Sequence, residues 1–165
     1  MAMPFYLRDS LRNKRPDWVD ENDPLFITLC HKRRGLHHFD SPQAWQALLA
    51  SCEHAKKVGR WRPMLLLAMP DHLHIIAKIP RNPDITSTLG EFKRDYSHRL
   101  PTEWQKGGFD HRLRSHEHYL EKRDYILMNP VRAGFILKPA DWPYSAWWKT
   151  KGYEQPEGVR ECFGD

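Results

Sequence analysis

Residues 63–79, PMLLLAMPDHLHIIAKI, decide the fold. Two apolar runs, Pro63–Met69 and His72–Ile79, flank the dipeptide Pro70-Asp71. Proline presets a turn dihedral and aspartate tolerates turn geometry, so the stretch reads as two strands with a very tight connection. Side chains alternate faces along a strand, so His72 and His74 project from one face and Leu73 from the other. Two imidazoles side by side on a rigid strand are a natural half-site for a divalent metal ion. The pair sits in an otherwise apolar hairpin, where a histidine without a task is costly to bury. Against this, a chain with ten histidines also produces an HxH by chance.

Upstream, Leu25–Cys30 (LFITLC) is a short β-type run, followed by the basic loop HKRRGLHH at 31–38. Ser41-Pro42 opens a helix with proline in its first turn. Trp45, Leu48, Leu49 and Cys52 recur at helical spacing, which predicts a helix over 42–58 closed by Gly59. Downstream, Asp84 caps a second helix with Ile85, Leu89, Phe92 and Tyr96 on its apolar stripe, and Pro101 stops it. Gly107 and Gly108 lead into a short strand over Phe109–Arg114. Ser115 caps a third helix, with Glu117 in its first turn, running to about Asn129 before Pro130. The order strand, helix, strand, strand, helix, strand is the split βαβ pattern of ferredoxin-like folds. It predicts an α+β domain whose antiparallel sheet is covered by helices on one face.

The third helix has an unusual face. At about 100° per residue, Tyr119, Leu120, Ile126 and Leu127 share an apolar arc, while His118, Glu121, Lys122, Tyr125 and Asn129 occupy the other side. Tyr125 therefore stands off the core stripe, with Asn129 one turn beyond it. Either Tyr125 is a surface tyrosine and Asn129 ends the helix, or a hydroxyl nucleophile stands beside a metal ligand.

The chain of 165 residues has the length of one domain. Residues 1–24 read as a polar N-terminal arm and 149–165 as a C-terminal tail without clear period. At 40% hydrophobic and 12% aromatic it can build a core, and 28% charged is close to the ordinary value of about 25%, which excludes wholesale disorder. The longest apolar run, Met64–Met69, falls far short of the roughly 20 residues of a membrane span. The N-terminal stretch lacks the apolar segment of a signal peptide. Three cysteines without a CxxC pair argue against a disulfide framework or a cysteine-rich zinc site. The expectation is a cytoplasmic protein with no membrane association. The net charge of +5 is concentrated. Lys32, Arg33, Arg34, Lys56, Lys57, Arg60 and Arg62 face two acids over 31–62, and Arg8, Arg12, Lys14 and Arg15 face Asp9. Localised positive charge suits phosphate, although a solvated basic face has the same composition.

Taken together, the motifs resemble a known family. MPDHLHII at 69–76 is similar to the His–hydrophobic–His motif of HUH single-strand DNA endonucleases. DYILMNPVRAGFI at 124–136 resembles the tyrosine helix of REP-associated tyrosine transposases, and GFDHRLR at 108–114 and DWPYSAWW at 141–148 agree with that group. The resemblance covers Leu25 to Trp148 and implies a ferredoxin-like sheet with the histidine pair on a central strand. It further implies His72, His74 and Asn129 as ligands of Mg²⁺ or Mn²⁺ and Tyr125 as the nucleophile that forms a 5′-phosphotyrosine. His111 would be a second-layer or DNA-contacting residue, and the helical position of Lys122, about 60° from Tyr125, makes it an electrostatic aid to that nucleophile. The implied partner is single-stranded or hairpin DNA of REP type, held by the two basic clusters through its phosphates, and the implied state a monomer, with a dimer as the alternative. Two other functions compete: a hairpin-binding module that does not cut, and a metal-dependent hydrolase of small phosphoesters. The second would need further His or Asp ligands in recognisable spacing, which are absent.

Overall fold

The fold is taken from a computed structural model, which describes Asp20, residues 22–82 and residues 84–162. Its elements follow in the order β1 (Leu25–Cys30), α1 (Pro42–Lys57), β2 (Arg62–Ala68), β3 (His72–Lys78), α2 (Ile85–Arg99), β4 (Phe109–Arg112), α3 (His116–Leu127), α4 (Asn129–Arg132), β5 (Ser145–Trp148) and β6 (Arg160–Cys162). Each long helix starts where an oxygen-bearing side chain satisfies a free backbone N–H. Ser41 accepts from the Ala44 amide at 3.1 Å, Asp84 from Ser87 at 2.8 Å and Ser115 from His118 at 3.1 Å. Gly59, at φ +73°, turns the chain out of α1 in a conformation other residues resist.

The strands form one sheet in the order β4-β1-β3-β2-β5-β6. The first four strands in sequence reproduce the split βαβ arrangement, with β3 flanked by β1 and β2. Its register pairs Cys30 with His72 and Thr28 with His74, so the start of β3 meets the end of β1. At the opposite end, Arg62 pairs with Lys78, and a bulge falls between Pro63 and Leu65.

The α+β class holds, with three differences from the sequence reading. The sheet is mixed, because β6 runs parallel to β5. Within the stretch read as a tail, residues 160–162 thus extend the sheet. The helices also occupy both faces. On one, Trp45, Leu48 and Cys52 of α1 and Leu89, Phe92 and Tyr96 of α2 bury against Leu25, Ile27, Leu29, Leu66, Leu73 and Ile75 of the sheet. On the other, Tyr119, Ile126 and Leu127 of α3 join Phe26, Leu65, Leu67, Ile76 and Trp147. The alternation of β1 and β3 explains this, since Phe26, Ile76 and the histidine pair all project away from α1 and α2. Pro130 also does not stop the helical path: α3 closes at Met128 and Pro130 enters the first turn of α4, where its missing N–H has no cost. No helix among the described residues is long and apolar enough to cross a membrane.

Candidate metal and nucleic-acid site

The sheet face under α3 carries the histidine pair. His74 is buried and His72 half-buried, and their rings stand 4.8 Å apart at 82°. Each uses its Nδ1 toward the protein. His72 Nδ1 bonds Asp71 Oδ1 at 2.7 Å, and His74 Nδ1 meets Thr28 Oγ1 at 3.1 Å. The Nε2 atoms have no hydrogen bond among the described residues. Burial, reinforced by His72, Arg132, Lys122 and Arg34, holds His74 well below the ordinary histidine value, so its ring is neutral. A neutral imidazole with a free Nε2 and an anchored Nδ1 is the form that binds a metal ion.

Asp71 is itself enclosed. Burial opposes its ionisation, but bonds from His72, Gly35 and Arg34 overcome that and hold its carboxyl well below the usual carboxylate range. Cys30 lies across from His72 and accepts from Arg34 Nη1 at 2.9 Å. Burial pushes its pKa up, which keeps it a thiol instead of a competing thiolate ligand.

A line of ring contacts leads from the histidines to α3. Phe26 stacks on His74 at 5.5 Å, and Lys122 Nζ lies 5.1 Å from the Phe26 ring and 5.2 Å from the Tyr125 ring. The Arg132 guanidinium also lies over Tyr125, 4.3 Å from its ring centroid. Tyr125 is 48% exposed while its neighbours Ile126 and Leu127 are buried, so the helix offers the tyrosine and seats itself with the next two residues. Arg132 also donates to the Tyr125 carbonyl at 2.7 Å.

Asn129 lies half-buried at the start of α4, and its Nδ2 donates to the carbonyls of Tyr125 and Ile126 at 3.3 and 3.2 Å. Its amide therefore closes the end of α3 with the nitrogen and retains Oδ1 as a donor atom. Two Nε2 atoms and an amide oxygen are a donor set suited to a divalent cation. No group of three or more His, Cys, Asp or Glu side chains able to hold a metal is present among the described residues, so such a site depends on the amide or on a substrate oxygen.

The remaining predicted residues divide. β4 pairs His111 with Phe26, beside the histidine face. Lys32 and Arg33 follow β1 at the His72 end of the sheet; Arg33 pairs with Glu103 at 3.3 Å in an exposed setting. Arg34, although exposed, is bonded to Asp71 and Cys30. Lys56, Lys57, Arg60 and Arg62 gather at the other end, where Arg62 pairs with Lys78, about 20 Å from His72 along β3. Arg60 is there paired with Glu91 at 2.7 Å. Arg8, Arg12, Lys14 and Arg15 lie outside the described residues. Four contributors escaped the sequence reading: Thr28, Phe26, Asp71 and Arg132. Only the strand alternation that placed His74 could have pointed to Phe26 and Thr28, through pairing of β1 with β3.

No family model matches the chain. Over 95 residues it is 35% identical to the REP-associated tyrosine transposase of Escherichia coli K12, covering 54% of this chain and 58% of that protein. Over 113 residues it is 26% identical to a putative REP-associated tyrosine transposase of Haemophilus influenzae, covering 58% and 62%. A solved REP-associated tyrosine transposase bound to a REP hairpin superposes with a TM-score of 0.66 at 26% identity, over 74% of this chain and 75% of that one. In sequence and in fold, the chain resembles the REP-associated tyrosine transposases. It matches less than two thirds of the length of either curated relative. The structural likeness to a REP-associated tyrosine transposase agrees with the α+β sheet built above.

Proposed function

We propose that the chain cuts and rejoins single-stranded DNA at REP-type hairpins, with Tyr125 as nucleophile and Mg²⁺ or Mn²⁺ held by His72, His74 and Asn129. The observation that carries the reading is one shared surface. Two imidazoles with free Nε2 atoms lie on the sheet face covered by α3, and α3 presents an exposed tyrosine with two cations over its ring. The relatives' names and the hairpin-bound neighbour support the substrate class.

The chemistry follows from these parts. A phosphodiester repels nucleophiles, and a divalent cation would polarise the scissile phosphate and offset its developing charge. Tyr125 attacks in line: its Oη–P bond forms, the P–O3′ bond breaks, the phenolic proton passes to solvent and the departing 3′-oxygen takes up a proton. The products are a 5′-phosphotyrosine and a 3′-hydroxyl, and reversing the step with another 3′-hydroxyl rejoins DNA. Lys122 and Arg132, both over the Tyr125 ring, would offset the negative charge that grows as the phenol attacks a phosphate. Arg132 also fixes the last turn of α3 through the Tyr125 carbonyl, which limits how far the phenol can wander.

The test is cleavage of end-labelled hairpin DNA taken from repeats flanking the gene, with Mg²⁺, Mn²⁺ or a chelator. Wild-type protein is expected to form a metal-dependent 5′ adduct that Tyr125→Phe and His72→Ala abolish. Tight hairpin binding without a cut under either metal would reassign the chain as a binding module. An adduct retained by Tyr125→Phe would remove Tyr125 from the reaction.

A further inference from the structure

The side chain of Asp71 makes bonds that its place in a Pro-Asp turn does not require. In a turn of this kind an aspartate ordinarily bonds a backbone amide of its own turn. Here the connection is closed by backbone alone, with the Met69 amide donating to the His72 carbonyl at 2.9 Å. Both carboxylate oxygens turn elsewhere: Oδ1 to His72 Nδ1 at 2.7 Å, and Oδ2 to the Gly35 amide at 2.7 Å and Arg34 Nε at 2.8 Å.

We infer that Asp71 is a positioning residue that fixes the tautomer and aim of His72, and that Arg34 and Gly35 hold Asp71 for that purpose. The inference rests on the metal site proposed above. An ionised carboxylate only accepts, so the bonded Nδ1 must carry a proton, and in the neutral ring that leaves the lone pair on Nε2. His74 has no such guarantee, because the Thr28 hydroxyl can donate or accept. Of the two imidazoles, His72 is therefore the one whose state the protein prescribes.

The loop between β1 and α1 is built to keep this arrangement. The His31 amide donates to the Asp71 carbonyl at 2.9 Å, and the His38 and Phe39 amides donate to the Pro70 carbonyl at 2.7 and 3.0 Å. Gly35 adopts φ +81°, the left-handed conformation that turns its N–H onto the carboxylate. Arg34, which the sequence offered as a phosphate contact, directs its Nε to Asp71 and its Nη1 to Cys30. It thus acts on the site through Asp71.

The experiment uses the full chain, free of metal, with ¹⁵N-labelled histidine in mildly alkaline buffer. Ring nitrogen shifts report the His72 tautomer, and Mn²⁺ titration followed by electron paramagnetic resonance reports affinity. Wild type is expected to hold His72 as the Nδ1–H form. Asp71→Asn, whose amide can both donate and accept, should mix the tautomers and weaken Mn²⁺ about 10- to 100-fold, the usual cost of losing such a partner. Arg34→Gln should act in the same direction more weakly, and Asp71→Glu should restore part of the loss. If Asp71→Asn folds poorly, Arg34→Gln carries the test. An unchanged tautomer and unchanged Mn²⁺ affinity in both variants would overturn the positioning role and leave the metal site standing. Wild type that binds no Mn²⁺, while Asp71→Asn still shifts the His72 tautomer, would overturn the metal site and keep the orientation of the ring.

Discussion

Adjacent residues on α3 should respond to substitution in opposite ways. Ile126 is fully buried between the helix and the sheet, whereas Tyr125 is half exposed. Ile126→Ala removes three side-chain carbons at about 0.8 kcal/mol each, or about 2.4 kcal/mol of transfer free energy. The packed neighbours Tyr119, Leu65 and Leu67 cannot fully close the space, and the cavity raises the cost to about 2.5–4 kcal/mol. For a domain of this size that is a fall in Tm of roughly 5–15 °C. Tyr125→Phe removes one exposed hydroxyl and should change stability by less than about 0.5 kcal/mol. Thermal unfolding by circular dichroism gives both numbers, and amide exchange locates the loss. Exchange should rise first in α3, because that helix buries only Tyr119, Ile126 and Leu127. The reasoning fails if Ile126→Ala costs under about 1 kcal/mol, or if Tyr125→Phe destabilises as much as its neighbour.

Other outcomes follow from charge, capping and burial. Lys32→Gln with Arg33→Gln should flatten the salt dependence of single-strand binding by about 0.7 in log–log slope for each phosphate no longer neutralised. Lys56→Gln with Arg62→Gln, at the far end of β3, should affect hairpin binding alone; equal weakening of a bare single strand would contradict that division. Ser115→Ala removes the hydrogen bond that starts α3 and should cost about 1 kcal/mol in denaturant unfolding. Burial raises the Tyr96 hydroxyl from its ordinary 10.0 to about 12. The stability contributed by keeping it neutral is whole below the unfolded value and is lost as pH rises from 10 toward 12, by on the order of 2–3 kcal/mol at most. Tyr96→Phe should remove that part of the alkaline loss, and a pH series of denaturant midpoints for both proteins would reveal a failure to do so.

Local signals were legible in the sequence where a single rule decides them. Ser41, Asp84 and Ser115 mark helix starts because the cap is a one-residue chemical event. The hairpin around Pro70-Asp71 and the shared face of His72 and His74 follow from a period of two. The separation of Tyr125 from Ile126 follows from the helical period in the same way. What escaped depends on tertiary placement. The apolar stripe of α3 says that it packs, but not against which side of the sheet, and so the two-faced arrangement was missed. Residues 160–162, REC, have no strand pattern of their own and pair because β5 offers an edge. Arg34 and Arg62 look alike as members of a basic run and both are exposed, yet Arg34 is locked onto Asp71 whereas Arg62 stands beside Lys78. Composition registers charge; only the fold distinguishes charge bonded to the protein's own residues from charge left toward solvent.

The sheet also has an unequal distribution of strand length. Its interior strands β1, β2 and β3 have six or seven residues, while the outermost described strands, β4 and β6, have four and three. A foreign strand needs a run of unpaired amides and carbonyls to add to a sheet, and edges this short give it little purchase. The chain thus keeps its longest and most apolar backbone ladders, including the one bearing both histidines, in positions where self-association by strand addition cannot reach them.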